Sequence, residues 1–92
     1  MLEREIISQI RNYLKTVSDC YYFKNHGGAF GQGGLPDLCL CLGGRFIALE
    51  VKTERGKTTV LQQMTLNKIR KAGGVAEVVR SVDDVIKTIE SL

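Results

Sequence analysis

Residues 33–52 read GGLPDLCLCLGGRFIALEVK, a pattern that predicts two apolar strands joined by a Gly-Gly turn. Gly-Gly pairs favour two-residue hairpin turns, and the flanking apolar runs are typical of buried strands. The same stretch also carries three ionisable residues, Asp37, Glu50 and Lys52. Because unpaired charges are costly to bury, these residues are either exposed surface groups or members of a polar site.

The turn determines which of these side chains lie together. With residues 43 and 44 as the turn, counting outward along both strands places Asp37 opposite Glu50 on one face of the sheet. Side chains alternate along a strand, so Lys52 points to the same face as Glu50. The opposite face is predicted to carry the apolar side chains Leu38, Leu40, Ile47, Leu49 and Val51.

Opposed carboxylates across two strands repel each other, so Asp37 and Glu50 call for a compensating cation. Lys52 supplies one positive charge, and a divalent metal ion would supply two. Oxygen ligands with room for water suit Mg²⁺ or Mn²⁺ rather than zinc. The alternative is a strand-end salt bridge among exposed residues.

The remaining segments predict the element order α-β-β-β-α-β-α. They are an amphipathic helix over 2–17, a strand over 20–24, a helix capped by Thr58 or Thr59 and running to about Lys71, a strand over 75–79 and a last helix after Ser81. A hairpin followed by a crossover helix predicts a mixed sheet flanked by helices. We therefore predict one α/β domain over residues 1–92.

Two polar residues fall within the apolar stripes of the predicted helices. Glu3 lies inside the stripe of the first helix and faces the sheet, whereas Glu5 falls outside it. Gln62 shares a face with Leu66 in the second helix. Taken separately, each is an ordinary polar residue at the edge of a stripe near a helix end. Together they suit a polar pocket over the hairpin.

Composition bounds the location and the partners. The 92 residues carry a formal net charge of +3, which permits a polyanionic partner without demanding one. No apolar run approaches the roughly 20 residues of a membrane span, and the start LEREI is no signal sequence, which predicts a cytoplasmic protein. The three cysteines are an odd number without a recognised zinc spacing, so we interpret them as small strand residues.

Pro36-Asp37 at the start of one strand and Glu50-Val51-Lys52 on the next resemble the motif of the PD-(D/E)XK nuclease superfamily. Further segments resemble its VRR-NUC branch over nearly the whole chain, namely Glu3 with the apolar residues that follow it, GLPDL, GGRFIALEVKTERGK, Gln62 and AGGVAEVVRSVDDV. The last strand departs from the family pattern, because it ends Val78-Val79-Arg80 where the family name refers to a valine followed by two arginines. The role of Arg80 is therefore open.

The resemblance implies a restriction-endonuclease-like αβββαβ core and metal-dependent hydrolysis of phosphodiester bonds. It implies a site for Mg²⁺ or Mn²⁺ formed by Asp37, Glu50, the main-chain carbonyl of Val51 and, directly or through water, Glu3. Lys52 would orient the attacking water or stabilise developing charge, and Gln62 matches a motif glutamine. Stand-alone relatives resemble junction resolvases, which implies a homodimer that resolves four-way (Holliday) junctions.

Two functions of different classes follow from these residues. One is a metal-dependent endonuclease acting on DNA; the alternative is a catalytically silent nucleic-acid-binding or assembly module with the same fold. The presence of all the motif residues together favours the enzyme.

Surface residues add weaker indications. Four basic residues are expected to flank the site and are candidate phosphate contacts, although turn residues of this kind are often plain solvated surface: Lys24, Arg45, Arg55 and Lys57. The glycine-rich loop over 25–34, which includes His26, is expected to order on substrate. Candidate dimer contacts are the aromatic strand 21–23 and Phe30.

Overall fold

A computed structural model of the protein describes residues 1–26 and 33–92. Its elements are α1 (Glu3–Leu14), β1 (Cys20–Lys24), β2 (Leu38–Leu42), β3 (Arg45–Val51), α2 (Val60–Lys71), β4 (Val75–Val79) and α3 (Val82–Glu90). The predicted order is confirmed. The first helix ends before the predicted residue 17, because the backbone N–H and the hydroxyl of Thr16 both donate to the carbonyl of Tyr13 and form a turn.

The four strands form one mixed sheet in the order β1-β2-β3-β4. Strands β1, β2 and β3 pair antiparallel, and β4 pairs parallel to β3 after the α2 crossover. Gly43 and Gly44 have φ angles of 55° and 84°, and positive values at both positions are what a type I′ hairpin turn requires. Leu42 therefore pairs with Arg45, and the predicted register and mixed sheet are confirmed.

Helices α1 and α3 cover one face of the sheet and enclose the larger core. The apolar side chains predicted to point away from the charged residues all lie in it, together with residues from both helices: Leu38, Leu40, Ile47, Leu49, Val51, Ile6, Ile10, Leu14 and Val85. Each is at most 4% exposed. Burying them is the main source of stability for so short a chain, at roughly 25 cal/mol per Å² of apolar surface.

Helix α2 covers β3 and β4 on the opposite face. Ala48 and Ala76 are buried beneath Leu66, and these small side chains let the helix approach the sheet closely. Thr59 caps the helix as predicted, its hydroxyl accepting a hydrogen bond of 3.1 Å from the backbone N–H of Gln62. The first turn of α2 lies near Glu50, since the Gln62 side chain donates a hydrogen bond to the Glu50 carboxyl group.

The cysteines are free thiols on β1 and β2: Cys20 is half-buried, Cys39 is buried and Cys41 is exposed. Burial raises the pKa of the Cys20 and Cys39 thiols, which disfavours the reactive thiolate. In the part of the chain that the structure describes, none of the helices has the length and apolar character needed to cross a membrane.

Candidate active site

Asp37 immediately precedes β2 and is held from two sides. Its Oδ2 accepts a hydrogen bond of 2.8 Å from the backbone N–H of Val51, and its main-chain carbonyl accepts one of 2.9 Å from the N–H of Asn25. The Asn25 side chain also donates to the carbonyl of Pro36 at 2.7 Å. These contacts extend the order of the sheet one residue beyond the regular β2 ladder and fix the Asp37 carboxylate at the end of β3.

Glu50 and Lys52 lie on the α2 face of the same strand end. Glu50 is only 2% exposed, and the Lys52 ammonium lies 3.4 Å from its Oε2 atom. Lys52 is itself buried at 8% exposure. The structure therefore brings Asp37, Glu50 and Lys52 together, and the burial of Glu50 and Lys52 excludes the alternative of a salt bridge among exposed residues.

Gln62 connects this cluster to α2. Its Nε2 donates a hydrogen bond of 3.2 Å to Glu50 Oε2, while its Oε1 accepts one of 2.9 Å from the backbone N–H of Thr59. The two bonds orient the amide from both ends, because one end must donate and the other must accept. Gln62 thus has a defined place beside Glu50, with helix capping as its second role.

The environment favours the neutral form of Glu50. Burial raises the pKa of this carboxyl to about 7; the nearby Asp37 carboxylate adds to the rise, and Lys52 opposes it. Glu50 Oε1 is buried and has no hydrogen-bond partner among the described residues. Buried carboxyl oxygens are rarely left in this state, so this atom is uncommitted and available to a bound group.

The residues present fit a hard divalent cation. Asp37 and Glu50 offer two carboxylates with Oε1 of Glu50 uncommitted, and Mg²⁺ commonly takes one or two protein carboxylates and keeps several waters. Within residues 1–26 and 33–92, no three His, Cys, Asp or Glu side chains form a cluster suited to a metal. A bound ion would therefore rely on the two carboxylates, the Val51 carbonyl and water.

Glu3 does not join this pair in the structure. It is the first residue of α1 and is exposed, whereas we expected it to face the sheet. The reason is that buried packing of α1 starts only at Ile6, so the first turn projects beyond the core, and α1 covers the face opposite Glu50. Participation of Glu3 in a metal site stays a prediction.

The basic residues expected to flank the site occupy different places. The expectation is wrong for Arg45, which begins β3 beside the hairpin turn and lies roughly 17 Å along the strand from Glu50. Arg55 and Lys57 are exposed in the loop that follows Lys52. Lys24 ends β1 near Asn25, with its ammonium 3.4 Å from the Asn25 carbonyl.

Arg80 holds the loop after β3, a role that the sequence left open. Its Nη1 donates to three main-chain carbonyls, those of Thr53 at 2.6 Å, Glu54 at 3.3 Å and Gly56 at 2.7 Å. Gly56 lies beside Lys52, since a Cβ placed on it would be in ordinary contact with the Lys52 Cβ, at 3.5 Å. Arg80 therefore fixes the loop that supports Lys52.

The candidate dimer surface is partly exposed. On β1, Tyr21 is 72% and Phe23 is 48% exposed, whereas Tyr22 packs against the core. His26 is exposed just after this strand. Phe30 and the part of the glycine-rich loop over 27–32 lie outside the described residues, so the expectations for them stay predictions.

Comparisons with known proteins agree on the fold. No protein-family model and no curated protein sequence matches the chain. One similar solved structure is a VRR_NUC domain protein, with a TM-score of 0.84 and 22% identity over 99% of this chain and 87% of that one. A second, described as a VRR_NUC domain, has a TM-score of 0.79 and 28% identity over 96% and 94% of the two chains. The chain therefore has the VRR-NUC family fold, as its motif residues predict.

Proposed function

We propose that the protein is a Mg²⁺- or Mn²⁺-dependent endonuclease that hydrolyses phosphodiester bonds in DNA. The observation that supports it most directly is buried Glu50, which faces Asp37, contacts Lys52 and keeps one oxygen without a partner. A structural salt bridge between Glu50 and Lys52 would gain nothing from the nearby carboxylate of Asp37, since like charges at close range oppose folding. The VRR-NUC fold adds the nuclease class as context.

The carboxylates of Asp37 and Glu50 and the carbonyl of Val51 would hold the ion, and Glu3, which lies apart from this pair in the structure, would contribute through water. When bound, the ion would acidify a water molecule and offset negative charge on the phosphoryl group. Asp37 keeps its orientation through the bond from the Val51 N–H, and Gln62 keeps Glu50 directed toward the same point. The protein thus supplies a preorganised acceptor set at the end of β3.

Lys52 is proposed to act on the reacting groups rather than on the metal. Its ammonium is held beside Glu50 at 3.4 Å, and its buried stem lies beside the loop that Arg80 fixes. A buried ammonium held in one place can orient the attacking water or stabilise charge that develops on the phosphate oxygens. In a site screened from water, such a charge acts more strongly than on the surface.

We further propose a homodimer that cuts four-way junctions on paired strands. A two-fold dimer would present two identical sites to a two-fold symmetric substrate. Tyr21 and Phe23 offer exposed aromatic surface on β1, which pairs only with β2 in the described sheet. Aromatic side chains of this kind are enriched at protein interfaces.

Purified protein incubated with linear, nicked and four-way DNA in Mg²⁺, Mn²⁺ or EDTA tests the proposal. We expect cleavage only with a divalent ion, fastest on the junction, and loss of cleavage in Glu50→Gln. Glu77→Gln is a matched control, since Glu77 is an exposed carboxylate on β4. DNA binding without cleavage under every condition would instead identify a catalytically silent binding module, and a monomer in sedimentation with and without DNA would exclude the dimer.

A further inference from the structure

A basic groove runs between the exposed side of α1 and the end of β1. It has a volume of about 320 Å³, and its lining includes four basic side chains, Arg4, Arg11, Lys15 and Lys24. The polar side chains Ser8 and Asn12 also line it, and none of its described lining residues is acidic. This α1–β1 groove lies on the other side of the sheet from Glu50, and it is separate from the candidate active site.

The positive charge of the α1–β1 groove is not neutralised by the protein. Within residues 1–26 and 33–92, the one ion pair closer than 4.0 Å joins Lys52 to Glu50, so none of the four basic groove residues is paired with a carboxylate there. Residues 27–32, with the sequence GGAFGQ, contain no charged side chain. Arg11 instead lies over the ring of Tyr22, with its guanidinium carbon 5.9 Å from the ring centre. A cation–π contact of this kind holds the guanidinium while leaving its N–H donors free.

The spacing of the charges suits an extended polyanion better than a single anion. Arg4 and Lys15 are eleven residues apart in and just after α1, which corresponds to roughly 16 Å at the helical rise. Phosphates advance about 3.4 Å per nucleotide along each strand of a DNA duplex, so this length spans four or five of them. An isolated phosphate would use only one end of the groove.

Although it lies on the other face, the groove ends at the same edge of the sheet as the candidate active site. Lys24 pairs with Leu38, the residue directly after Asp37, and the N–H of Asn25 donates to the Asp37 carbonyl at 2.9 Å. Two strand spacings, roughly 10 Å, separate Lys24 from the end of β3 that carries Glu50. A nucleic-acid backbone lying across the strand ends would therefore continue into the groove.

We propose that the α1–β1 groove binds the sugar-phosphate backbone of duplex DNA away from the bond that is cut. Arg4, Arg11, Lys15 and Lys24 contact phosphates and Ser8 and Asn12 add neutral hydrogen bonds, which fixes the position of the duplex without reading its sequence. This inference rests on the proposed function for its choice of DNA, and it assigns that function a binding surface outside the catalytic residues.

The test measures binding to a linear duplex by fluorescence anisotropy in EDTA, over salt concentrations from about 50 to 200 mM. The triple variant Arg4→Gln/Arg11→Gln/Lys15→Gln should bind at least tenfold more weakly at low salt, and the slope of log K against log[salt] should fall in magnitude by about 2 to 3. The control is Lys68→Gln/Lys71→Gln/Lys87→Gln, which removes the same charge from exposed positions of α2 and α3. The charge-retaining Arg4→Lys/Arg11→Lys variant should keep nearly the wild-type slope.

An unchanged slope in the groove variant would overturn the proposal, as would an equal loss in the control variant, since net charge alone would then explain binding. Unchanged DNA binding together with lost binding to phosphatidylserine vesicles would also overturn it and would identify a lipid surface. Hydrolysis of bis(p-nitrophenyl) phosphate with Mn²⁺ separates this inference from the proposed function, because that small ester cannot span the groove. If wild-type protein does not hydrolyse this ester but the groove variant shows the expected change in the salt slope of DNA binding, the proposed nuclease activity is rejected and the proposed groove is retained.

Discussion

Asp37 and Val51 are joined by a hydrogen bond of 2.8 Å from the Val51 N–H to the Asp37 carboxylate. Val51 lies between Glu50 and Lys52, so this single bond sets the position of Asp37 relative to both charged neighbours. The regular pairing of β2 with β3 ends at Leu38 and Leu49. The hydrogen bond from Val51 to the Asp37 side chain therefore continues the contact between the two segments beyond the last main-chain pair. It holds the Asp37 carboxylate near Glu50, although Asp37 itself lies outside the regular strand.

The Asp37→Asn variant should fold normally and lose activity. An amide oxygen can still accept the hydrogen bond from Val51, so the sheet end is retained, but the charge that would hold a metal is lost. We expect cleavage to fall by at least about 10²-fold, as when a transition-state donor is removed. Single-turnover cleavage with a thermal melt measures both effects. Asp83→Asn, in the exposed first turn of α3, is the control, and wild-type cleavage by Asp37→Asn would reject the assigned site.

Metal-free protein should become less stable as the pH rises from about 4.5 to 7. The folded pKa of Glu50 is raised from 4.5 to about 7, so the folded state holds a proton that the unfolded state has already released in this window. From this group alone, the loss in the free energy of unfolding is about 3 kcal/mol, complete above pH 7. Below pH 4.5 both states are protonated and the effect vanishes.

Denaturant unfolding in EDTA at pH 5 and pH 8 measures this dependence. Glu50→Gln has no titrating group at this position, so the fall in stability between the two pH values should be smaller in it than in wild type. Glu77→Gln should keep the wild-type difference, because that exposed residue lies outside the cluster. Identical pH dependence in wild type and Glu50→Gln would show that Glu50 is ionised in the folded protein throughout.

Lys52→Ala should separate chemistry from metal binding. Lys52 contacts Glu50 and is not assigned to the metal, so cleavage should fall by about 10²-fold while Mn²⁺ affinity changes much less than in Glu50→Gln. Calorimetric titration with Mn²⁺ is best done near pH 8, since loss of Lys52 removes the one influence that lowers the pKa of Glu50. Equal losses of Mn²⁺ affinity in the two variants would mean that Lys52 mainly keeps Glu50 ionised.

Gln62 and Thr59 allow helix capping to be separated from support of Glu50. Thr59→Ala removes the cap hydroxyl and should lower stability by about 1 kcal/mol with little change in cleavage. Gln62→Met removes the bond to the Thr59 N–H and also the bond to Glu50, so it should lower stability similarly and reduce cleavage by about tenfold. Chemical unfolding measures the stability of both variants, and steady-state kinetics measures their cleavage rates. If Thr59→Ala and Gln62→Met lose cleavage activity to the same extent, Gln62 acts only through capping of the helix.

The sequence was most informative where local rules fix geometry. A two-residue glycine turn and the alternation of side chains along a strand sufficed to place Asp37, Glu50 and Lys52 at one end of the hairpin. Helical periodicity places Gln62 on the same face as Leu66, toward the sheet. The same periodicity predicts the wrong orientation for Glu3, because the first turn of α1 extends beyond the core that buries the later turns. Arg45 pairs with Leu42 beside the glycine turn, so the hairpin register itself puts it at the other end of β3 from Glu50.

Contacts between distant segments could not be predicted in this way. The three carbonyls that accept from Arg80 lie at least 24 residues away, and no spacing rule relates them. Arg4, Arg11 and Lys15 could have been noticed as a basic row on the exposed side of α1. Their meeting with Lys24 depends on how the helix lies across the sheet, which only the packed structure defines.

Arg80→Ala should loosen the loop over 53–56 and thereby slow cleavage. Removal of the guanidinium leaves three main-chain carbonyls to water and frees the loop beside Lys52. Amide hydrogen exchange in residues 53–57 should therefore accelerate. We expect kcat to fall by about tenfold with KM nearly unchanged, because the loop supports Lys52 without contacting the substrate. Arg80→Lys keeps the charge but not the geometry, because an ammonium on a flexible stem replaces a planar fork, and it should recover only part of the rate. Lys71→Ala removes an equal charge from the exposed end of α2 and serves as the control. A large rise in KM with unchanged exchange would show that Arg80 binds the substrate directly instead of positioning the loop.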